Sequence, residues 1–150
     1  SVEGPSAQQE DRVMQGILET LYLGLPILLG HFGVALFMLA LGIVLYLLIT
    51  PVNEYRLIRE GNSAAAVTLG SAMLGIALPL ASALGGSVNV WDILIWGSVA
   101  IGLQLTVFFI VDLLLRDLAD RIRNNEMSAA LILGATKLSI ALLNSAAIAY

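Results

Sequence analysis

The sequence contains no cysteine and a single histidine among its 150 residues. The absence of cysteine excludes disulfides, thiolate chemistry and cysteine-based metal sites. One histidine and scattered carboxylates offer little to a metal of another kind. No glycine-rich loop that could hold a phosphate is present, and no basic surface of the kind that binds nucleic acid. We therefore expect no cofactor and no nucleic-acid partner.

Charge is also scarce, and long apolar runs take its place. Charged residues make up 12% of the chain and hydrophobic residues 59%, whereas a soluble domain carries roughly 25% charged residues. Four segments are long and apolar enough to cross about 30 Å of hydrocarbon, namely residues 27–49, 64–84, 93–115 and 128–149. The predicted fold class is an all-α membrane protein with four transmembrane helices over residues 27–150, which leaves no room for a soluble catalytic domain.

Two stretches of the chain match each other at a spacing of 64 residues. The matches are Ile58-Arg59 with Ile122-Arg123, Ala65-Ala66-x-x-Leu69-Gly70 with Ala129-Ala130-x-x-Leu133-Gly134, and Ile76-Ala77-Leu78 with Ile140-Ala141-Leu142. Each match runs from a charged loop into an apolar helix, so the pattern predicts two parallel-repeated helical hairpins, over residues 31–86 and 95–150. Chance similarity among common apolar residues is the alternative, but the Ile-Arg pair lies outside the spans.

The basic residues predict the orientation in the membrane. The loops after the first and third spans carry five arginines, Arg56, Arg59, Arg116, Arg121 and Arg123. The opposite face has only Arg12, so the positive-inside rule places the two arginine loops in the cytoplasm and both termini outside. External termini fit a chain that begins at Ser1 as if a signal peptide had been removed, although a cloning scar would look the same.

The segment before the first span has a helical pattern of its own. Apolar residues recur at steps of three and four between residues 10 and 25, with Gln15, Glu19 and Thr20 on the other face. We expect an interfacial amphipathic helix over residues 10–26, lying along the outer membrane surface after a mobile tail at residues 1–9. Pro26 favours a bend before the first span. The alternative is a helix that extends the first span outward.

The loop after the first span carries a family resemblance. Its pattern is Ile49-Thr50-Pro51-x-Asn53-Glu54-x-x-Leu57-Ile58-x-x-x-Asn62-x-Ala64-Ala65. The chain thereby resembles the domain-of-unknown-function 350 family, the YjfL-like small bacterial inner-membrane proteins, over about residues 30–150. The resemblance implies four spans, external termini and a plasma-membrane location. It implies no activity, because the family is named for lacking one.

Polar residues inside the spans are the candidate functional residues. Lys137 is the one charge deep in a span, where exposure to lipid would cost at least ~2.5 kcal/mol. Asn144 shares its helical face, Gln104 in the third span lies near its depth, and Asp112 is the carboxylate it could approach by snorkelling. Pairing of Lys137 with Asp112 or Gln104 is one interpretation. A ring of charges around an oligomer axis, a deprotonated Lys137, or snorkelling to the headgroups are the others.

Small residues recur at equivalent positions of the two halves. Ala66 and Gly70 lie four positions apart, as do Ala130 and Gly134, a spacing that allows helices to approach closely in lipid. We interpret both pairs as helix-packing positions. Thin walls around a conduit are the alternative interpretation.

These features favour a non-catalytic inner-membrane protein that acts as a homo-oligomeric scaffold or accessory subunit for a membrane or cytoplasmic protein partner. The alternative is a small homo-oligomeric channel or transporter for ions or small polar solutes, lined by Lys137, Asn144 and Gln104. An enzyme is disfavoured, because no nucleophile with a base and no metal-ligand cluster occurs at a suitable depth.

Overall fold

The computed structural model, which describes residues 6–149, contains four long helices and two short ones. They are α1 (Ala7–Ile49), α2 (Glu54–Arg59), α3 (Ser63–Gly86), α4 (Val90–Leu114), α5 (Arg116–Arg123) and α6 (Met127–Ile148). Within these residues four helices, α1, α3, α4 and α6, are long and apolar enough to cross a membrane. The predicted all-α class with four membrane-crossing helices is confirmed.

Asparagine residues set the starts of three helices. The side chains of Asn53, Asn62 and Asn89 accept hydrogen bonds from backbone N–H groups three residues later. Such caps satisfy N–H groups that have no partner within the helix. The predicted spans agree with α3, α4 and α6 to within about three residues at each end.

The N-terminal segment differs from its prediction. Residues 10–26 are not a separate helix but the first half of α1, which continues through Pro26 to Ile49. Transmembrane helices tolerate proline, because other groups can satisfy the freed carbonyl. For residues 10–26 to lie along the membrane surface, the helix would have to break before the first span, and α1 has no such break. The structure therefore agrees with the alternative, in which this segment extends the first span outward. Of the predicted tail, residues 1–5 lie outside the described residues and residues 7–9 are helical.

The bundle is centred on α3 and α4. Both α1 and α6 pack against this pair, and α3 makes its most extensive contact with α6. One apolar core joins Met38, Ile76, Ile93 and Phe108. A second lies near the short helices around Ile122. Together the two cores bring the inner faces of all four long helices into one packed interior.

The short helices α2 and α5 form one end of the bundle, which we call the arginine end. Both are followed by a residue with left-handed backbone, Gly61 (φ 87°) and Asn125 (φ 60°), at the predicted repeat spacing. The two loops also bind each other: Asn62 Nδ2 donates to the Ile122 carbonyl at 2.8 Å, and Asn125 Oδ1 accepts from Ala64 N at 3.0 Å. The loops thus share local geometry, whereas the rotation relating the two halves stays a prediction.

Candidate functional site

Lys137 is fully buried inside the bundle. Its Nζ lies 2.9 Å from Asp112 Oδ1 on α4 and donates to the Tyr46 hydroxyl on α1 at 2.9 Å. Lys137 lies ten residues into α6 and Asp112 two residues before the end of α4, so the lysine reaches towards the arginine end. The Asp112 pairing considered from the sequence is present, and the side chain of Lys137 faces protein rather than lipid.

Two aromatic rings surround the ammonium group. Its nitrogen lies 4.8 Å from the ring centroid of Tyr46 and 5.3 Å from that of Phe108. The two rings pack edge to face at 5.8 Å. A ring face attracts a cation, and more strongly where water is excluded. Gly75 provides space for Phe108, because a Cβ there would lie 2.6 Å from the ring.

Glu54, the first residue of α2, extends this group of charges to the arginine end. Its Oε1 accepts from the Tyr46 hydroxyl at 2.8 Å, while Oε2 is buried without a partner among the described residues. Burial raises the pKa of Glu54 from 4.5 to about 7, although the Tyr46 hydrogen bond and the charge of Lys137 lower it. We call Tyr46, Glu54, Asp112 and Lys137 the Lys137 cluster.

The pKa of Glu54 predicts how stability depends on pH. The Glu54 carboxyl group binds its proton more tightly in the folded protein than in the unfolded chain. The free energy of unfolding should therefore fall as pH rises from 4.5 through about 7. Glu54→Gln should remove that fall and stabilise the protein above pH 7 by up to about 3 kcal/mol. Thermal unfolding in detergent at pH 5 and pH 8 measures it. Glu60→Gln, at an exposed position, is the control, and an equal pH dependence in Glu54→Gln and wild type would contradict the assignment.

Gln104 and Asn144 form a second polar group, separate from Lys137. Asn144 Nδ2 donates to Gln104 Oε1 at 2.9 Å and to the Ala100 carbonyl at 3.3 Å. Gln104 Nε2 and Asn144 Oδ1 are buried without a partner in the described part of the chain. We call this the amide pair. It lies two turns of α6, about 10 Å, from Lys137, so the structure separates the four predicted polar residues into two groups.

The two small-residue pairs occupy different environments. Ala130 and Gly134 are buried, and Gly134 lies directly against the side chain of Ser71 on α3. Ala66 is exposed, and a Cβ on Gly70 would meet nothing within 4 Å. The α6 pair therefore packs helices within the chain, while the α3 pair faces outward.

The loop motif organises the arginine end. Asn53 and Asn62 cap helices, Glu54 joins the Lys137 cluster, and the Pro51 carbonyl accepts from Arg123 Nη2 at 2.8 Å. Thr50 follows the last residue of α1, and its backbone N–H donates to the Tyr46 carbonyl. A cavity of about 90 Å³ beside Pro51 reaches Asp112 and Arg116. The motif thus connects the short helices to the buried charges.

Sequence reasoning did not identify Tyr46 or Phe108, and it gave Glu54 no role. A tyrosine near a span end is typical of the aromatic belt at the membrane surface, so Tyr46 carried no signal of its own. The available signal was its spacing of four residues from Gly42 and eight from Met38, both buried on the same face of α1. No group of three metal-ligating side chains occurs among the described residues.

Four membrane-crossing helices around buried polar groups define a multi-pass helical membrane protein, whose surroundings are a lipid bilayer. The family described as Domain of Unknown Function (DUF350) matches residues 20–148. The chain belongs to this family, and the resemblance read from the loop motif is confirmed.

Curated relatives agree with this assignment. The UPF0719 inner membrane protein YjfL of Escherichia coli strain K12 is 32% identical over 87 residues, which cover 58% of this chain and 66% of the relative. The protein of the same name from Escherichia coli O157:H7 matches to the same extent. The match thus spans slightly less than two thirds of the relatives' length. No solved structure shows significant similarity to the chain.

Proposed function

We propose that the protein is a non-catalytic, homo-oligomeric scaffold or accessory subunit of the inner membrane, and that the first half of α1 joins its copies. The observation that carries this proposal is the length of α1 together with its exposed apolar side chains. Its 43 residues span about 64 Å at 1.5 Å per residue, roughly twice the thickness of the hydrocarbon core.

The first half of α1 is exposed throughout. Every residue from Ser6 to Gly30 is exposed, including Val13, Ile17 and Leu21. If α1 is straight, part of this apolar surface extends beyond the bilayer, where exposure to water is unfavourable. A second copy of α1 would cover it.

A groove on α1 suits a second helix. Gly16, Thr20 and Gly24 recur every four residues between apolar side chains, and a Cβ on either glycine would meet nothing within 4 Å. Small residues at this spacing allow two helix backbones to approach closely. The Thr20 hydroxyl is bonded to the Gly16 carbonyl at 2.8 Å, so it needs no further partner.

Bulky side chains in the groove test this proposal. Gly16→Ile with Gly24→Ile should reduce the oligomer to a monomer, because both would keep a second backbone away. Gln15→Ile with Gly33→Ile is the matched control: both positions are exposed, and each lies nine residues, or two and a half turns, from Gly24, on the opposite face. Light scattering of the protein in detergent measures the mass. A monomeric wild type, or equal effects of the two pairs, would overturn the proposal.

We also propose that the arginine end is cytoplasmic, following the positive-inside rule. The chain lacks cysteine, so a single introduced cysteine is the only residue of the protein that a maleimide labels. Cysteine replacing Glu60, beside α2, should react with an impermeant maleimide only after cells are opened. Cysteine replacing Val88, between α3 and α4, should react in cells whose outer membrane alone is permeable. Both positions are exposed, and labelling of both from one side would contradict the orientation.

A second candidate function, a path for ions or protons, is favoured by the Lys137 cluster. Ionisable residues inside membranes often mark such paths. In this chain the ammonium group is paired with Asp112 and Tyr46 within the bundle, so conduction would require this pairing to open. We therefore rank this function second.

A further inference from the structure

Glu54 holds the short helix α2 against the buried charges. It is the first residue of α2 and is 1% exposed. In the described part of the chain, its bond to the Tyr46 hydroxyl at 2.8 Å is the one hydrogen bond from an α2 side chain to another helix. The next two residues, Tyr55 and Arg56, are exposed. The carboxyl group of Glu54 is therefore the polar anchor of α2.

This carboxyl group lacks the partners that a buried carboxylate needs. Its Oε2 atom is buried without a partner among the described residues. The ammonium group of Lys137 is paired with Asp112 and bonded to Tyr46. An ionised Glu54 would therefore place a second carboxylate beside one cation, and a buried charge without its own partner is unfavourable. A proton on Glu54 leaves one carboxylate for one ammonium group.

No second cation faces Glu54 from the helices around it. The helix α3, which packs against α2, contains no ionisable residue. On α5, Arg123 bonds to a backbone carbonyl and pairs with Asp120. On α2 itself, Arg56 and Arg59 are exposed. The ionisable groups that act on the Glu54 carboxyl are Tyr46 on α1, Asp112 on α4 and Lys137 on α6.

The segments on either side of α2 allow it to move as a unit. Residues 50–53 and 60–62 are not helical, and Gly61 has a left-handed backbone. A change in these two segments would carry α2 away from the bundle while α1 and α3 stay intact. Short elements of this kind can open at a much smaller free energy than the whole fold.

We propose that α2 is a pH-sensitive lid over the Lys137 cluster, closed while Glu54 carries a proton and open when Glu54 is ionised. In the closed state the Tyr46 hydroxyl donates to Oε1, and the proton stays on the carboxyl group. Opening carries the ionised carboxylate into water and leaves Lys137 paired with Asp112. This opening is local, because the four long helices keep their packing.

Labelling of a buried cysteine with dilute maleimide measures how often the lid is open. Val52, two residues before α2, is 4% exposed, so Val52→Cys should react only from the open state, at a rate proportional to its population. The same cysteine in a Glu54→Gln background provides the comparison at each pH. The ratio of the two rates cancels the pH dependence of the thiol itself.

We expect the ratio of the rate with Glu54 to the rate with Gln at this position to rise about twentyfold between pH 5.5 and pH 7.5. Burial raises the pKa of Glu54 from 4.5 to about 7 in the closed state. Opening therefore becomes more favourable by about tenfold per pH unit between these two values and stops changing above the higher one.

Ala119→Cys on α5 tests whether the opening is confined to α2. Ala119 is also buried at the arginine end, at 8% exposed, and its labelling rate should be the same with Glu54→Gln as without it. If Val52→Cys does not fold, Ile58→Cys on the partly buried side of α2 replaces it. If Glu54→Gln does not fold, the exposed Glu60→Cys provides the reference rate instead.

Two outcomes would overturn the proposal. A ratio that does not change with pH would show that the ionised Glu54 is accommodated in the closed state. An equal rise at Ala119→Cys would show that the whole bundle opens rather than α2 alone.

Discussion

Replacing Lys137 with methionine is expected to destabilise the bundle by about 3–5 kcal/mol, the usual cost of removing one partner from a buried ion pair. The substitution leaves Asp112, which is 7% exposed, without its cation. The Tyr46 hydroxyl also loses the donor 2.9 Å away. Unfolding of the detergent-solubilised protein by added dodecyl sulfate measures the change in free energy.

The double variant Lys137→Met with Asp112→Asn isolates the ion pair. It removes both charges, so we expect it to recover most of the lost stability. Arg121→Met is the control, because Arg121 pairs with Glu126 at 2.6 Å at the exposed surface, where such a pair contributes about 1 kcal/mol or less. Equal costs for Lys137→Met and Arg121→Met would show that Lys137 has no buried partner in solution.

The same substitution separates the two candidate functions. For a scaffold, Lys137→Met should alter stability or assembly and leave no ion flux to change. For an ion path, Lys137→Met should change the flux or charge selectivity of reconstituted protein while the oligomer stays intact. A wild-type protein that conducts neither ions nor small polar solutes would favour the scaffold.

The spans could be predicted because apolar length is a local property of the sequence. A run of about 20 apolar residues crosses the hydrocarbon whatever its neighbours are. The first residues of α3 and α4 also depend on the local sequence, since Asn62 and Asn89 cap the N-terminal ends of these helices. The short helices α2 and α5 are each followed by a turn residue, Gly61 or Asn125, that adopts left-handed backbone in the structure.

The course of α1 could not be predicted from the same local rules. Proline usually removes a helical hydrogen bond and favours a bend, yet α1 continues through Pro26. Whether a membrane helix bends depends on what else satisfies the freed carbonyl. That information lies in surrounding helices, lipid or a second copy of the chain.

The candidate site was predictable in its members but only partly in its pairing. Depth in the membrane identified Lys137, and its long side chain made Asp112 reachable. Depth alone also placed Gln104 near Lys137, whereas the structure pairs Gln104 with Asn144. Tyr46 and Glu54 were beyond this reasoning, because the inward face of α1 and the position of α2 depend on tertiary packing.

Replacing Gly134 with leucine is also expected to destabilise the bundle, because Gly134 lies in the most extensive helix contact, that of α3 with α6. Any Cβ at this position would collide with the side chain of Ser71. The helices would have to separate, and overpacking a core typically costs about 1–3 kcal/mol. Gly134→Ala should cost less than Gly134→Leu, since Ser71 can adjust to one methyl group.

Gly70→Leu provides the matched control for Gly134→Leu. Gly70 lies 64 residues earlier, at the equivalent position of the predicted repeat, and a Cβ there would meet nothing within 4 Å. The substitution Gly70→Leu should therefore leave the unfolding free energy of the monomer unchanged within about 0.5 kcal/mol. Unfolding of both variants by added dodecyl sulfate compares the two positions. If Gly70→Leu destabilised the monomer as much as Gly134→Leu, the two small-residue pairs would have equivalent roles, contrary to the asymmetric packing of α3 and α6.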